Sequence, residues 1–246
     1  MRSRSQDRCR FVVLIVLSAF VLVARGSAGD QKRESGAELV KKFQNSQTFF
    51  EQFDIAQKLA QLRDTTVLNQ LEPYLGDVDR HVRGNAAFVF ASLGDDRGFD
   101  VIRSILEDRS SQRPEGQGIP GGNWSVEAQI ASDRYYAVHL FGDLQDVRAV
   151  PILIPLLKDR QVNRIVARSL GKIGDRAAVA PLIEALHDSS PDMRVLSIYA
   201  LQQLHAKEAL PELRRLTQDD ANIHFDGLGT VAEAAKSAIS KLEAVP

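Results

Sequence analysis

Between Asp146 and Leu204 the chain repeats itself. Val162 recurs as Met193 and Ile173 as Leu204, each time after thirty-one residues. The first unit opens Asp146-Val147-Arg148-Ala149-Val150-Pro151 and the second Asp175-Arg176-Ala177-Ala178-Val179-Ala180-Pro181. Each continues as two helical patterns. A fixed period of this size, made of two helices, constrains the fold more than any other feature. One such unit cannot bury its own apolar face, so the units must stack.

The same phase runs outward in both directions. Ala56 and Ala87 lie thirty-one residues apart, as do Leu62 and Leu93. Phe49, Phe53, Ala56, Leu59, Ala60 and Leu62 fall at the i, i+3, i+4 spacing of one helix face. Leu39, Val40 and Phe43 precede them as a shorter helix. Downstream, Leu210, Leu213 and Leu216 and then Val231, Ala235, Ala238 and Leu242 supply a last pair. The expected fold is all-α: a right-handed α–α superhelix of about six helical hairpins over residues 29–246. The period fails once. Residues 110–127 hold a Gly- and Pro-rich insert, whose two prolines and four glycines between Ser110 and Trp124 exclude helix there.

Residues 1–28 read as a secretory signal peptide. Arg2, Arg4, Arg8 and Arg10 precede an apolar run of 14 residues, Phe11 to Ala24, and Gly26 and Ala28 place small residues before a cleavage point. A bilayer span needs about 20 apolar residues. Cleavage is therefore expected, with no stable membrane span afterwards and an uncleaved anchor as the other outcome. A periplasmic or secreted location follows. The only cysteine, Cys9, leaves with the signal. Without those residues the net charge moves from −1 to −5, which argues against binding nucleic acid.

The repeating unit resembles the short bacterial HEAT-like repeats named after the phycobilin lyases that contain them. Asp79-Arg80-His81-Val82-Arg83-Gly84-Asn85-Ala86-Ala87 with Leu93-Gly94-Asp95 carries the pattern best. Ile173-Gly174-Asp175, Val179-Ala180-Pro181-Leu182, Asp188 and Met193-Arg194 repeat it. The sequence departs from it at Asp133, where an apolar residue is expected, and at His205, where glycine is expected. The resemblance implies the solenoid. As to function it implies a protein-binding surface, because a fold hosts many functions. The signal-like N-terminus sets the chain apart from a pigment lyase of the cytoplasm. A second resemblance, to di-iron hydroxylases built on HEAT-like repeats, implies paired His-Glu motifs, and no His-Glu dipeptide exists here.

No histidine of the five has a His or Cys at metal-ligand spacing. No cofactor, metal or catalytic residue is expected. The paired acids of the inter-helix turns, such as Asp77 with Asp79 and Asp95 with Asp96, read as helix caps. Arg148, Arg160, Arg164, Arg168 and Arg176 form a basic cluster that reads equally as an attractor for an acidic partner and as a solvated helix edge. The candidate binding residues are Trp124, Arg113 and Glu115 of the insert, and the pair Tyr135 and Tyr136 just after it. Aromatic side chains dominate binding energy where they are exposed for it. The expectation is thus a non-enzymatic, monomeric scaffold that binds a protein partner outside the cytoplasm. A lyase-like or cofactor-handling protein, or a structural part of an envelope assembly, stands as the alternative.

Overall fold

The computed structural model describes residues 34–110, 125–224 and 229–244. The signal-like segment and most of the insert, with Arg113, Glu115 and Trp124, lie outside the described residues. Twelve α-helices are found among the described ones, in six hairpins: α1 (Gly36–Asn45) with α2 (Phe49–Leu62), α3 (Leu68–Leu71) with α4 (Arg80–Ser92), α5 (Asp96–Glu107) with α6 (Val126–Leu144), α7 (Val150–Leu153) with α8 (Asn163–Ile173), α9 (Val179–Ala185) with α10 (Pro191–Gln203), and α11 (Leu210–Leu216) with α12 (Val231–Ala244). The second helices pack in series, α2 on α4, α4 on α6, α6 on α8, α8 on α10 and α10 on α12. This is the HEAT-like stack that the period implies.

One local device sets the hairpin boundaries. The second helix of a unit ends on a residue in the left-handed region: Arg63 (φ 54), Gly94 (φ 86), Gln145 (φ 54), Gly174 (φ 82) and His205 (φ 51). That conformation turns the chain and stops the helix. An aspartate follows in four of the five cases and caps the next element. Asp64 accepts from the Thr66 amide, Asp95 from Arg97, Asp146 from Arg148 and Asp175 from Ala177, at 2.8–3.0 Å. Gln145 and His205 thus do the work of glycine without being glycine.

The first helices of the units are more broken than the apolar pattern alone implies. α3 continues as a 3-10 helix at Glu72–Gly76 and α7 as another at Ile154–Lys158. Pro73 and Pro155 sit near the start of these segments. Proline has no N–H to give to the carbonyl four residues back and clashes with it, so the α-ladder stops there. Gly98 of α5 lies against α4 so closely that a Cβ there would be 2.2 Å from the Ala87 carbonyl oxygen. This contact brings the two backbones together at the small residues Ala87 and Ala91.

The core is one continuous apolar column through the stack. Phe43, Leu59, Leu71, Phe90, Phe141, Leu153, Leu170, Leu182 and Leu201 are all fully buried. Beside it runs a ladder of arginines reaching from one hairpin to the turn of the next. Arg80 donates from Nη1 to Asp133 at 2.7 Å, and its Nη2 lies 2.6 Å from Asp108. Arg134, with no exposed side-chain surface, donates to Asp159 at 2.6 Å and to the Leu106 carbonyl at 3.3 Å. Arg194 donates to Asp219 at 2.8 Å. Asp133 is therefore polar because Arg80 needs it. The pair is 3% exposed on both sides, and a buried charge must be matched.

Candidate functional site

A groove of about 1500 Å³ runs across α2, α4, α6 and α8. That exceeds the roughly 300–1,000 Å³ of an ordinary small-molecule site. Its apolar part is aromatic. Phe49, Phe50 and Phe53 come from the first turn and a half of α2, Phe88 from α4, and Tyr135 and Tyr136 from α6. Phe53 meets Phe88 edge-on at 5.2 Å and Tyr136 at 6.2 Å between ring centroids. His81 packs between Phe49 (4.6 Å) and Tyr136 (5.0 Å).

A chain of hydrogen bonds holds this aromatic face in place. The Tyr136 hydroxyl donates to Asn85 Oδ1. Asn85 Nδ2 donates to Gln52 Oε1 at 2.9 Å and to the Phe49 carbonyl at 3.1 Å. Gln52 in turn donates to the Phe43 carbonyl at 3.2 Å. Four helices are tied together through groups that are themselves buried, which fixes where the Tyr136 ring stands. Burial, together with the charges of Asp143 and Asp79, pushes the Tyr136 hydroxyl well above its usual range, so it stays a neutral donor.

The polar part of the groove comes from α6 and α8. His139 Nε2 faces Asp143 Oδ2 at 3.6 Å, one helical turn away. Asp143 accepts a hydrogen bond from Lys172, and the Lys172 carbonyl accepts one from Gln145 at 3.0 Å. Burial lowers the His139 pKa. Asp143 opposes that, while Lys172 and Arg168 add to it. The imidazole is thus neutral near pH 7, with a carboxylate beside it. Such a group is able to accept a proton in the groove or to hold a tautomer for one. Arg168 lines the groove next to Tyr135 and His139. Among the described residues, no group of three or more His, Cys, Asp and Glu is arranged to hold a metal. No described helix is long and apolar enough to cross a membrane.

Of the residues singled out from the sequence, Tyr135 and Tyr136 both line this groove. Tyr135 is 41% exposed and Tyr136 is buried. Arg113, Glu115 and Trp124 lie outside the described residues. Sequence reasoning found no clustered polar groups for chemistry, and His139, Asp143 and Lys172 are such a cluster. The usable signal was the i, i+4 spacing of His139 and Asp143 combined with Lys172 one repeat further on.

HEAT repeats are matched at residues 128–202 and 150–224. The chain is 36% identical over 112 residues to phycocyanobilin lyase subunit alpha of a Picosynechococcus species, a match covering 38% of this chain and 42% of that protein. It is 29% identical over 147 residues to the bilin biosynthesis protein PecE of a Nostoc species, covering 58% and 53% respectively. The matches thus span about half, or less, of the length of these curated relatives. Among solved structures, the complex of CpcE and CpcF of phycocyanin lyase from Nostoc is similar at 18% identity, covering 91% of this chain and 81% of that one with a TM-score of 0.46. Residues 128–224 carry HEAT repeats, and the described helices stack as such repeats do. These findings correct four expectations. A non-enzymatic scaffold does not stand beside relatives named for a lyase and for bilin biosynthesis. Protein binding alone falls with it, as does the use of the N-terminus as an argument against a lyase. A monomer does not stand beside a relative named as a subunit.

Proposed function

We propose that this protein is a pigment-handling subunit of lyase type, holding a bilin in the groove along α2, α4, α6 and α8. The observation that carries this is the groove's make-up: six aromatic rings beside a neutral histidine and three cationic side chains, Arg63, Arg168 and Lys172. A bilin is an open-chain conjugated tetrapyrrole with carboxylate side chains. Its flat rings suit offset or edge contact with Phe49, Phe53 and Tyr136, and its carboxylates suit guanidinium groups. The length of the groove, over four helices, suits an extended ligand better than a compact one. The bilin-related names of the sequence relatives support the same class.

The test is titration of the purified chain with phycocyanobilin, followed by visible absorbance and fluorescence. Saturable spectral change is expected, weakened in Phe53→Ala, which removes a ring from the groove without touching the arginine ladder. No spectral change at any concentration would refute the reading. A second subunit is part of this proposal, with Trp124, Arg113 and Glu115 as its contact. Trp124→Ala is expected to weaken association by about 2 kcal/mol or more, measured by calorimetry on the co-purified pair. Export is also proposed, on the charged start, the apolar run and the small residues at Gly26 and Ala28. N-terminal sequencing of the protein from its own cells is the check, and an intact Met1 overturns it.

A further inference from the structure

The basic cluster of the sequence separates, in the structure, into paired and unpaired charges. Arg148 pairs with Asp146 and Asp96, Arg160 with Asp188, Arg164 with Asp192, and Arg176 with Glu208. Among the described residues Arg168 alone of the five makes no ion pair. Its position makes this notable. Arg164, Arg168 and Lys172 follow one another at i, i+4 on α8 and so share a face. The outer two are neutralised, Arg164 by Asp192 at 3.3 Å and Lys172 by Asp143. The middle one is half-buried and faces the groove.

The carboxylates lining the groove are Asp54 and Asp143. Asp143 is held by Lys172 and faces His139, and Asp54 lies on the exposed side of α2. A half-buried guanidinium without a counter-ion, lining the same groove as Tyr135 and His139 and near enough for its charge to act on both, has a preformed fork of donors and no carboxylate of the protein's own to receive them. Planar bidentate recognition of a carboxylate is what that fork does best.

We infer that Arg168 is the carboxylate anchor of the groove: it takes one carboxylate of a flat conjugated acid whose rings lie against Tyr135 and Tyr136. The inference names the recognition chemistry within the proposed pigment site and rests on that reading for the identity of the acid. It assigns orientation as well as affinity. One end of the ligand is fixed at α8, and the remainder extends over α6 and α4 toward the phenylalanines of α2.

The experiment compares the free acid and the dimethyl ester of phycocyanobilin on the full chain, by absorbance titration. A second probe, the aromatic acid 1-pyrenebutyrate against its amide, is read by fluorescence. For the unsubstituted protein the acid is expected to bind about tenfold or more tighter than its ester or amide. Arg168→Gln should lose that discrimination while binding the ester as before. Arg160→Gln, whose partner Asp188 lies outside the groove, should keep it, and circular dichroism checks that both variants fold. Equal binding of acid and ester by the unsubstituted protein, or discrimination intact in Arg168→Gln, overturns the anchor and leaves the pigment reading standing. Discrimination with pyrenebutyrate, lost in Arg168→Gln, but no binding of phycocyanobilin overturns the pigment reading and supports the anchor.

Discussion

Asp133 offers the sharpest test of how the stack is held. It stands where the repeat expects an apolar side chain, and it forms an almost fully buried pair with Arg80. Replacing it with alanine strands the Arg80 Nη1 donor. Arg80 keeps Asp108 at 2.6 Å and the Ser110 carbonyl at 2.8 Å, so the charge is weakened in its surroundings and not abandoned. Breaking a buried pair from one side costs about 3–5 kcal/mol. The remaining partners place Asp133→Ala near the low end, at about 3 kcal/mol. Replacing both groups with apolar residues, as in R80M/D133L, removes the stranded charge and is expected to recover most of that loss or more. The assay is urea unfolding of the unsubstituted protein, R80M, D133L and R80M/D133L, which close a cycle, with D133A beside them, followed by far-ultraviolet circular dichroism. Additive single and double effects would refute the reasoning, because groups in contact with one another are expected to couple.

Further outcomes follow from the core and from the charged groups. Leu182→Ala, at a position with no exposed surface, should lower stability by about 2–5 kcal/mol, read from the same unfolding curves. Burial raises the Asp108 pKa, but hydrogen bonds from the Ser110 amide and hydroxyl and from Arg80 outweigh it and bring the carboxyl to about 2. That lies below its unfolded value of about 3.9, so its contribution is complete above that pH and is lost as pH falls toward 2. Asp108→Asn should flatten this acid limb in pH-dependent melting. His139 should titrate below its ordinary value of 6.5, and lower still in Asp143→Asn, because Asp143 is the group that holds its pKa up. Nuclear magnetic resonance of the imidazole protons measures both, and a titration above 6.5 would contradict its burial.

The fold was legible because its determinants are local and recur. Asp64, Asp95, Asp146 and Asp175 cap helices within two residues of themselves, and the apolar faces are read along single helices. The site was less legible because its determinants lie one repeat apart. Arg160, Arg164 and Arg176 find their acids 28, 28 and 32 residues downstream, so a local reading joined them into one basic edge. Arg80 reaches Asp133 across 53 residues and an insert, which hid the reason for an aspartate in an apolar position. Tyr135 and Tyr136 stood out by type. Their partners did not: Phe53 read as one position of an apolar helix face, Asn85 as part of the repeat pattern, and Lys172 was not singled out. Only stacking the units sets them around one space.

The left-handed residues that end the second helices set two evolutionary pressures against each other. Glycine adopts that backbone freely, whereas other L-residues there cost on the order of 1–2 kcal/mol. Gly174 takes the inexpensive choice. Arg63 and Gln145 do not, and both project into the groove. A lineage selected only for heat tolerance would drift to glycine at 63 and 145 and would strip two polar side chains from the lining of the groove. Those two codons change the polar lining of the groove outside the apolar core, Gln145 at the loss of its hydrogen bond to the Lys172 carbonyl. The punctuation of the repeat is thus also the part of it freest to diversify.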